Sequence, residues 1–309
     1  MQDLILHQYD SSPFSEKIRL ILGYLELQSC WVEIPPIMPR DDLMPLTGGY
    51  RRTPVLQIGR DIYCDSALIA KVLAEQVSQT RLFPDESAAT AEVFSQWVDT
   101  FLFRVVVALA FQPKALAGNQ VMQDPSEAAA FMADRAAFMA GSTALQMELA
   151  VAQSHFTSFL EMMERQLVNV RFLFGDAPCI ADFSVYHCLW FIGARPILAA
   201  EFAQFPQVEH WMALMQAFSH GEHQLIDGSA ALTQARSAPD PVDYEVLQQG
   251  VQALPIDYGF QPVAGVLVAC QGAPRDCYSI LRSHEAIGSI LVHFPKMGFR
   301  IESVSLGGG

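Results

Sequence analysis

Basic residues are scarce in this sequence. Its 309 residues contain 19 Lys and Arg against 33 Asp and Glu, which gives a formal net charge of −14 at pH 7. A field of that sign repels phosphate backbones and anionic lipid, so the composition argues against nucleic acid and membrane surfaces as partners. The adjacent Arg51 and Arg52 form a local basic patch that would still attract an anionic substrate.

The sequence also lacks the patterns of a disulfide scaffold, a zinc site and a membrane anchor. Its six cysteines are scattered, with no CxxC pair and no zinc-ligand spacing, which favours a reducing, cytoplasmic setting and no metal. The opening MQDLILHQYD has no basic segment followed by a long apolar stretch, so it does not resemble a signal peptide. The most apolar stretch, residues 183–194, is too short to span a bilayer, and we expect a soluble protein.

Residues 1–80 have the pattern of a small α/β domain. A buried strand precedes Ser12-Pro13, where serine is a good N-cap and proline suits the first helical position. The helix that follows leads to a second strand, and strands joined by a helix must be parallel. Two further strands meet at the tight turn Gly59-Arg60-Asp61 and must be antiparallel, and Asp65-Ser66 caps a last helix. This order predicts a thioredoxin-like fold.

The remainder of the chain divides into two segments. Residues 88–220 repeat apolar positions at helical spacing and are interrupted by turn residues. Residues 238–306 begin with the linker-like Ala238-Pro-Asp-Pro241 and contain short β-branched runs bounded by glycine and proline. The sequence therefore predicts an all-helical second domain and a small β-rich module after it.

Three features of the first domain indicate a bound peptide thiol. A cis bond at Thr53-Pro54 would leave the Thr53 main chain free to pair with an extended peptide; an ordinary strand-opening proline is the alternative. The helix start at Asp65-Ser66 suits a carboxylate beside an ammonium group; plain capping is the alternative. At Ser12, a hydroxyl and the helix dipole would lower the pKa of a thiol from its usual value of about 8.5; plain capping is again the alternative.

The order and spacing of these features resemble the cytosolic glutathione transferase superfamily. Residues 12–20 (SPFSEKIRL) resemble its active-site segment, 52–56 (RTPVL) its cis-proline segment and 65–75 (DSALIAKVLAE) its γ-glutamyl-binding helix. Residues 177–183 (APCIADF) resemble the helix-start signature of its all-helical domain. The resemblance covers residues 1 to about 220. The last segment resembles C-terminal extensions found on some bacterial and fungal members of the superfamily.

The resemblance implies a role for each candidate site residue. Ser12 stands where serine- and cysteine-type members place the group that activates the thiol, and Ser11 and Tyr9 are the neighbouring candidates. Arg52, or Arg51 in its place, would reach the glycyl carboxylate of glutathione. The glutathione-binding residues implied in this way are Phe14, Arg52, Thr53, Pro54, Asp65 and Ser66. The residues implied for the electrophile pocket are Arg104 and Phe111.

The implied activity is conjugation of glutathione to a small electrophile through a stabilised thiolate, a detoxification reaction. Glutathione would be the co-substrate, and no metal or redox cofactor is implied. A non-catalytic binding or regulatory protein on the same fold is the alternative, as is a glutathione-dependent peroxidase, isomerase or lyase. The family is usually dimeric, so the resemblance also implies a homodimer. Serine at position 12 argues against dithiol exchange, which needs a protein thiolate.

Two cysteines bear on these expectations. Cys179 stands where the helix-start signature usually has serine or threonine, and loss of such a cap typically costs ~0.5–2 kcal/mol. We therefore predict that Cys179→Thr raises the melting temperature. Cys64 borders the predicted site, and we expect a buried strand thiol rather than one that oxidises or pairs with glutathione.

Overall fold

The computed structural model describes residues 3–77, 82–116, 124–144, 146–274 and 276–304. The first domain consists of β1 (Leu4–Gln8), α1 (Pro13–Tyr24), β2 (Ser29–Glu33), α2 (Met44–Thr47), β3 (Val55–Ile58), β4 (Asp61–Cys64) and α3 (Ser66–Glu75). Strand β1 pairs with β2 in parallel and with β3 antiparallel, and β4 is antiparallel to β3. The predicted thioredoxin-like arrangement is confirmed.

Helix α1 begins and packs as its sequence predicts. Ser12 is its N-cap, and the Ser12 Oγ accepts a hydrogen bond from the Ser15 N–H at 3.2 Å, while Pro13 occupies the first turn. Its apolar positions, among them Ile18 and Leu22, are fully buried. They pack against α3 and against a helix of the second domain. The N-terminus of α1 is therefore fixed where the two domains meet.

The second domain is helical, as predicted. Its elements are α4 (Ala88–Trp97), a π-helical turn (Val98–Leu102), α5 (Phe103–Ala110), α6 (Pro113–Leu116), α7 (Pro125–Phe138), α8 (Leu149–Leu167), α9 (Ile180–Gly193), α10 (Pro196–Ala199), a 3₁₀ turn (Ala200–Gln204) and α11 (Pro206–Gln216). Within the described residues, the run Ala88–Ala110 is long and apolar enough to cross a bilayer by length and composition alone. In the fold, α4 packs against α9, and α5 packs against both α8 and α9.

Helix α9 is the buried centre of this domain, and one carboxylate fixes its start. Asp182 accepts hydrogen bonds from the N–H of Cys179 at 3.0 Å, the N–H of Leu173 at 2.9 Å and the indole Nε1 of Trp211 at 3.1 Å. Burial raises the pKa of Asp182, and these donors oppose the rise. Three charge-assisted hydrogen bonds thus compensate for a carboxylate that has no exposure to water.

The C-terminal region is β-rich, as predicted, but its strands continue the sheet of the first domain. Its elements are β5 (His223–Leu225), α12 (Gly228–Ser237), β6 (Tyr244–Pro255), β7 (Val263–Cys270), β8 (Cys277–His284), β9 (Gly288–Pro295) and β10 (Phe299–Ser303). The ten strands form one sheet in the order β10-β6-β7-β8-β9-β4-β3-β1-β2-β5. Strand β9 pairs in parallel with β4, and β5 pairs in parallel with β2.

A buried polar relay secures the junction of β4 with the C-terminal strands. His293 is 1% exposed and hydrogen-bonds through Nδ1 to the Ser279 Oγ and through Nε2 to Asp61 Oδ1, both at 2.9 Å. Its ring stacks on Tyr63, with centroids 4.7 Å apart. The order serine, histidine, carboxylate is that of a hydrolase triad, but Ser279 is only 3% exposed. The relay therefore joins the modules.

Candidate active site

The main chain of Thr53 is open at the edge of the first domain. The Thr53–Pro54 bond is cis, and strand β3 begins only at Val55. Within the described part of the chain, neither the N–H nor the C=O of Thr53 forms a hydrogen bond, and Thr53 is partly exposed. Free main-chain groups of this kind are what an extended peptide pairs with when it adds to a sheet.

A buried arginine fixes the segment that carries Thr53. Arg40 is 3% exposed and donates through Nη1 to the Thr53 Oγ1 at 3.0 Å and to the Arg51 carbonyl at 2.6 Å. Its Nε and Nη2 donate to the carbonyls of Pro35 and Pro36. Burial lowers the pKa of Arg40 to about 10, so it remains charged at neutral pH. The open main chain is therefore held rigidly.

The three candidates for thiol activation, Tyr9, Ser11 and Ser12, lie in the short segment that joins β1 to α1. Ser12 is 2% exposed, and because its Oγ accepts from the Ser15 N–H, its hydroxyl proton is left to donate. Ser11 is exposed, and Tyr9 is half-buried with its ring 5.8 Å from the Arg40 guanidinium. Ser12 is the one that combines a hydroxyl with a position at the positive end of the α1 dipole.

Asp65 and Ser66 begin α3 in an unusual backbone geometry. The Asp65 Oδ1 accepts a hydrogen bond from the Ala67 N–H at 2.9 Å, and Asp65 has φ of 80°, which is uncommon for a residue other than glycine. Residues held in such regions cluster at functional sites. Burial raises the pKa of Asp65. The hydrogen bond from Ala67 and the charge of Arg52 lower it, but they do not cancel the effect of burial. Ser66 is 6% exposed at the first helical position.

Cys64, one residue before this helix start, is fully buried. Burial raises the pKa of its thiol well above the usual range. A neutral, inaccessible thiol is neither a nucleophile nor a partner for disulfide exchange.

A buried ion pair behind the site was not foreseen from the sequence. The Lys17 Nζ lies 2.6 Å from Asp99 Oδ2, and the His187 Nε2 lies 3.0 Å from Asp99 Oδ1. Lys17 and His187 have no exposed side-chain surface, and Asp99 lies in the π-helical turn of the second domain. Burial raises the pKa of Asp99, whereas Lys17 and His187 lower it. The net effect is a pKa of about 2. Burial lowers the pKa of His187.

This cluster ties the start of α1 to the helical domain. Lys17 belongs to the second turn of α1, and the ring of Phe14 lies 4.7 Å from both His187 and Phe103. The charge of Lys17 lowers the pKa of Asp65, and the charge of Asp99 raises it. The cluster is therefore close enough to act electrostatically on the start of α3. The sequence signal was present as a lysine on the buried face of an amphipathic helix.

A cavity of about 450 Å³ lies between α5 and residues 139–144 and 146–147. Its lining combines apolar side chains with a cation, including Val107, Met139, Met147 and Arg104. Phe111, the other predicted pocket residue, stacks on Phe131 with centroids 6.2 Å apart and does not line this cavity. The structure thus brings Arg104 to the cavity and places Phe111 in neighbouring aromatic packing.

Arg51 and Arg52, the two candidates for binding a glycyl carboxylate, each already pair with a carboxylate of this chain. The Arg51 Nη2 lies 2.6 Å from each oxygen of Asp134 on α7. The Arg52 Nη2 lies 2.6 Å from Asp257 Oδ1 and also donates to the Tyr258 carbonyl. Asp257 and Tyr258 belong to the β6–β7 connection of the C-terminal region. Sequence reasoning could not find these pairs because the partners lie more than 80 residues away.

Fold and site together define a thioredoxin-like protein with a helical second domain and an open main-chain edge between capped helix starts. A family model described as glutathione S-transferase, N-terminal domain, matches residues 6–81. The solved structure of a GST-like protein from Pseudomonas syringae is 34% identical, with a TM-score of 0.79, over 98% of this chain and 100% of that one. The alignment therefore includes the C-terminal strands.

More distant solved structures share the fold over part of this chain. A glutathione S-transferase from Rhodospirillum rubrum is 17% identical, with a TM-score of 0.50, over 69% of this chain and 87% of that one. A glutathione S-transferase I with lactoylglutathione bound is 16% identical, with a TM-score of 0.51, over 69% of this chain and 94% of that one. No curated protein matches the chain in sequence. The chain belongs to the glutathione S-transferase superfamily, as its motifs indicated.

Proposed function

We propose that this protein binds a γ-glutamyl thiol peptide such as glutathione and transfers its thiolate to a small electrophile. The observation that carries the proposal is the open main chain of Thr53, held by Arg40 beside the capped starts of α1 and α3. The cysteinyl part of the peptide pairs with Thr53, and the γ-glutamyl end lies against Asp65 and Ser66.

In the proposed reaction, the bound thiol loses its proton to solvent and the thiolate attacks an electrophilic carbon to form a carbon–sulfur bond. An aryl halide then releases its halide ion, whereas an epoxide breaks its C–O bond and an isothiocyanate its C=N π-bond, and the oxygen or nitrogen that receives the electron pair takes a proton from solvent. The hydroxyl of Ser12 donates to the thiolate, and the α1 dipole adds to that stabilisation. Together they supply about 1.4 kcal/mol, which lowers the thiol pKa by about one unit. The cavity beside Arg104 holds the electrophile.

Conjugation assays test this proposal. Wild type is measured with a panel of aryl halides, epoxides and isothiocyanates, beside Ser12→Ala and the control Ser11→Ala. Ser12→Ala removes the hydroxyl but leaves the helix dipole, so it loses part of that unit, and we expect kcat/KM at neutral pH to fall several-fold, by at most about tenfold, with Ser11→Ala close to wild type. A wild type inert to the whole panel, or a Ser12→Ala variant with full activity, rules the assignment out.

We also propose that the protein is a cytoplasmic homodimer. Val93 and Trp97 are exposed on α4 at 64% and 38%, and exposed apolar side chains on one helix suit an interface between two copies. Light scattering of the purified protein gives the mass directly. A monomer at all concentrations contradicts this part of the proposal.

A binding protein without catalysis is the second candidate, and two observations favour it. Ser12 is 2% exposed and already serves as an N-cap, and Asp257 occupies the Arg52 guanidinium. Calorimetry with glutathione, combined with the conjugation panel, distinguishes the candidates. Saturable binding without turnover of any electrophile supports the binding protein.

A further inference from the structure

Two cysteines of the C-terminal region lie at the same end of one hairpin. Of the six cysteines in the chain, three are buried and three are partly exposed. Cys30, in β2, is one of the partly exposed cysteines. The other two are Cys270, the last residue of β7, and Cys277, the first residue of β8, and these strands pair antiparallel. Two accessible thiols therefore stand at the ends of neighbouring strands.

The strand register places these two thiols on the same face of the sheet. Val268 lies opposite Ser279, and continuing this register by two residues places Cys270 opposite Cys277. Residues directly opposite each other in an antiparallel pair have Cα atoms about 4.5 or 5.5 Å apart. A disulfide bond usually spans a Cα separation of about 4.4–6.8 Å. The register of the hairpin therefore suits a bond between Cys270 and Cys277.

The surroundings of the two thiols show that they share a polar neighbour. The Cys277 Sγ lies 3.7 Å from the Ser279 Oγ and donates to the Pro274 carbonyl at 3.0 Å. Burial raises the pKa of both thiols, and the Ser279 hydroxyl lowers the pKa of each. A charge on Cys270 also raises the pKa of Cys277, as expected for neighbouring thiols. Both thiols therefore lie beside one hydroxyl, which is itself hydrogen-bonded to His293 at 2.9 Å.

We propose that Cys270 and Cys277 form a reversible redox pair, which closes to an intramolecular disulfide on reaction with a disulfide of low molecular mass. Their partial exposure gives such a molecule access to the thiols. The pair uses none of the residues of the proposed thiol-peptide site, so it is a second site that goes beyond the proposed function. It also supplies the two protein thiols that dithiol exchange needs and that position 12 lacks.

The exchange proceeds in two steps. One cysteine loses its proton to solvent, and its thiolate attacks a sulfur atom of the small disulfide, whose S–S bond breaks to leave a mixed disulfide and a released thiolate. The second cysteine then loses its proton, and its thiolate attacks the protein sulfur of the mixed disulfide and releases the other small thiolate. Both released thiolates take protons from solvent. Two electrons thus pass from the cysteines to the small disulfide, and an excess of small thiol reverses both steps.

Thiol mapping of the full-length protein tests the proposal. Reduced wild type is equilibrated without oxygen with the disulfide of mercaptoethanol, and it is then quenched with acid, unfolded and alkylated. We expect the number of alkylated cysteines to fall from six to four, because two of the six become joined. The intact mass should show one disulfide within a single chain, and peptide mapping should join Cys270 to Cys277. Excess mercaptoethanol should restore all six thiols.

Three variants identify the thiols that react. Cys270→Ser and Cys277→Ser should each stop at a mixed disulfide between mercaptoethanol and the remaining thiol, because no second thiol displaces it. Cys30→Ser is the matched control, since it removes a partly exposed cysteine from β2, and it should still form the disulfide.

The proposal is overturned by a wild type that keeps six alkylated cysteines, that stops at mixed disulfides, or whose disulfide joins two molecules or other cysteines. Mapping of wild type decides the matter even if a variant does not fold. The probe carries no γ-glutamyl group, so failure here leaves the proposed glutathione site intact. An absence of glutathione binding likewise leaves the redox pair intact.

Discussion

The Lys17–Asp99–His187 cluster gives a prediction whose size follows from burial. Asp99→Asn preserves shape and can still hydrogen-bond to His187, but it leaves the Lys17 ammonium fully buried without a counter-charge. Removing one partner of a buried pair costs about 3–5 kcal/mol. At about 2–4 °C per kcal/mol, the melting temperature should fall on the order of 10 °C.

The assay is thermal unfolding followed by circular dichroism at neutral pH. The control is Glu92→Gln, because Glu92 pairs with Lys71 at 2.7 Å where both are partly exposed, and such pairs contribute less than about 1 kcal/mol. In the double variant with Lys17→Met the orphaned charge is gone, so it should melt above Asp99→Asn. An Asp99→Asn protein within about 2 °C of wild type, or a double variant that melts lower still, would show that Asp99 does not stabilise the protein by compensating the charge of Lys17.

Three further predictions concern stability. Cys179→Thr should raise the stability by about 0.5–2 kcal/mol, because sulfur stands where a hydroxyl would cap the N–H of Asp182; an unchanged or lower melting temperature contradicts it. His293→Ala should cost about 2–4 kcal/mol and speed hydrogen exchange along the β4–β9 ladder, unlike the exposed-site control His210→Ala; unchanged exchange contradicts it. Because the pKa of Asp99 is lowered from 3.8 to about 2, its contribution is present above about pH 4 and lost between pH 4 and 2, so the stability gap between wild type and Asp99→Asn should narrow there; a constant gap contradicts it.

Local sequence rules were sufficient for the first domain because its signals are short-range. Ser12-Pro13 begins α1 and Asp65 caps α3 within three residues of the groups they satisfy. Alternation and turn residues likewise place the antiparallel β3–β4 pair. These elements match their predictions because the residues that form each cap or turn are neighbours in the chain.

The remaining features depend on long-range packing that no local pattern encodes. Pairing of β9 with β4 joins strands about 230 residues apart, as in Tyr63 opposite His293, so the C-terminal strands were predicted without their place in the sheet. Arg52 was predicted to meet a ligand carboxylate and meets Asp257 of the same chain. Both results arise because the C-terminal region returns to the first domain.

The protonation state of the bound thiol shows whether Ser12 activates it. The ultraviolet absorbance of the thiolate is followed against pH with glutathione at saturating concentration, for wild type, Ser12→Ala and Ser11→Ala. We predict that the bound thiol titrates at least one unit below the free value of about 8.5 and that Ser12→Ala alone returns it toward that value. A bound thiol that titrates like the free one, or the absence of saturable binding, would rule out thiol activation at this site.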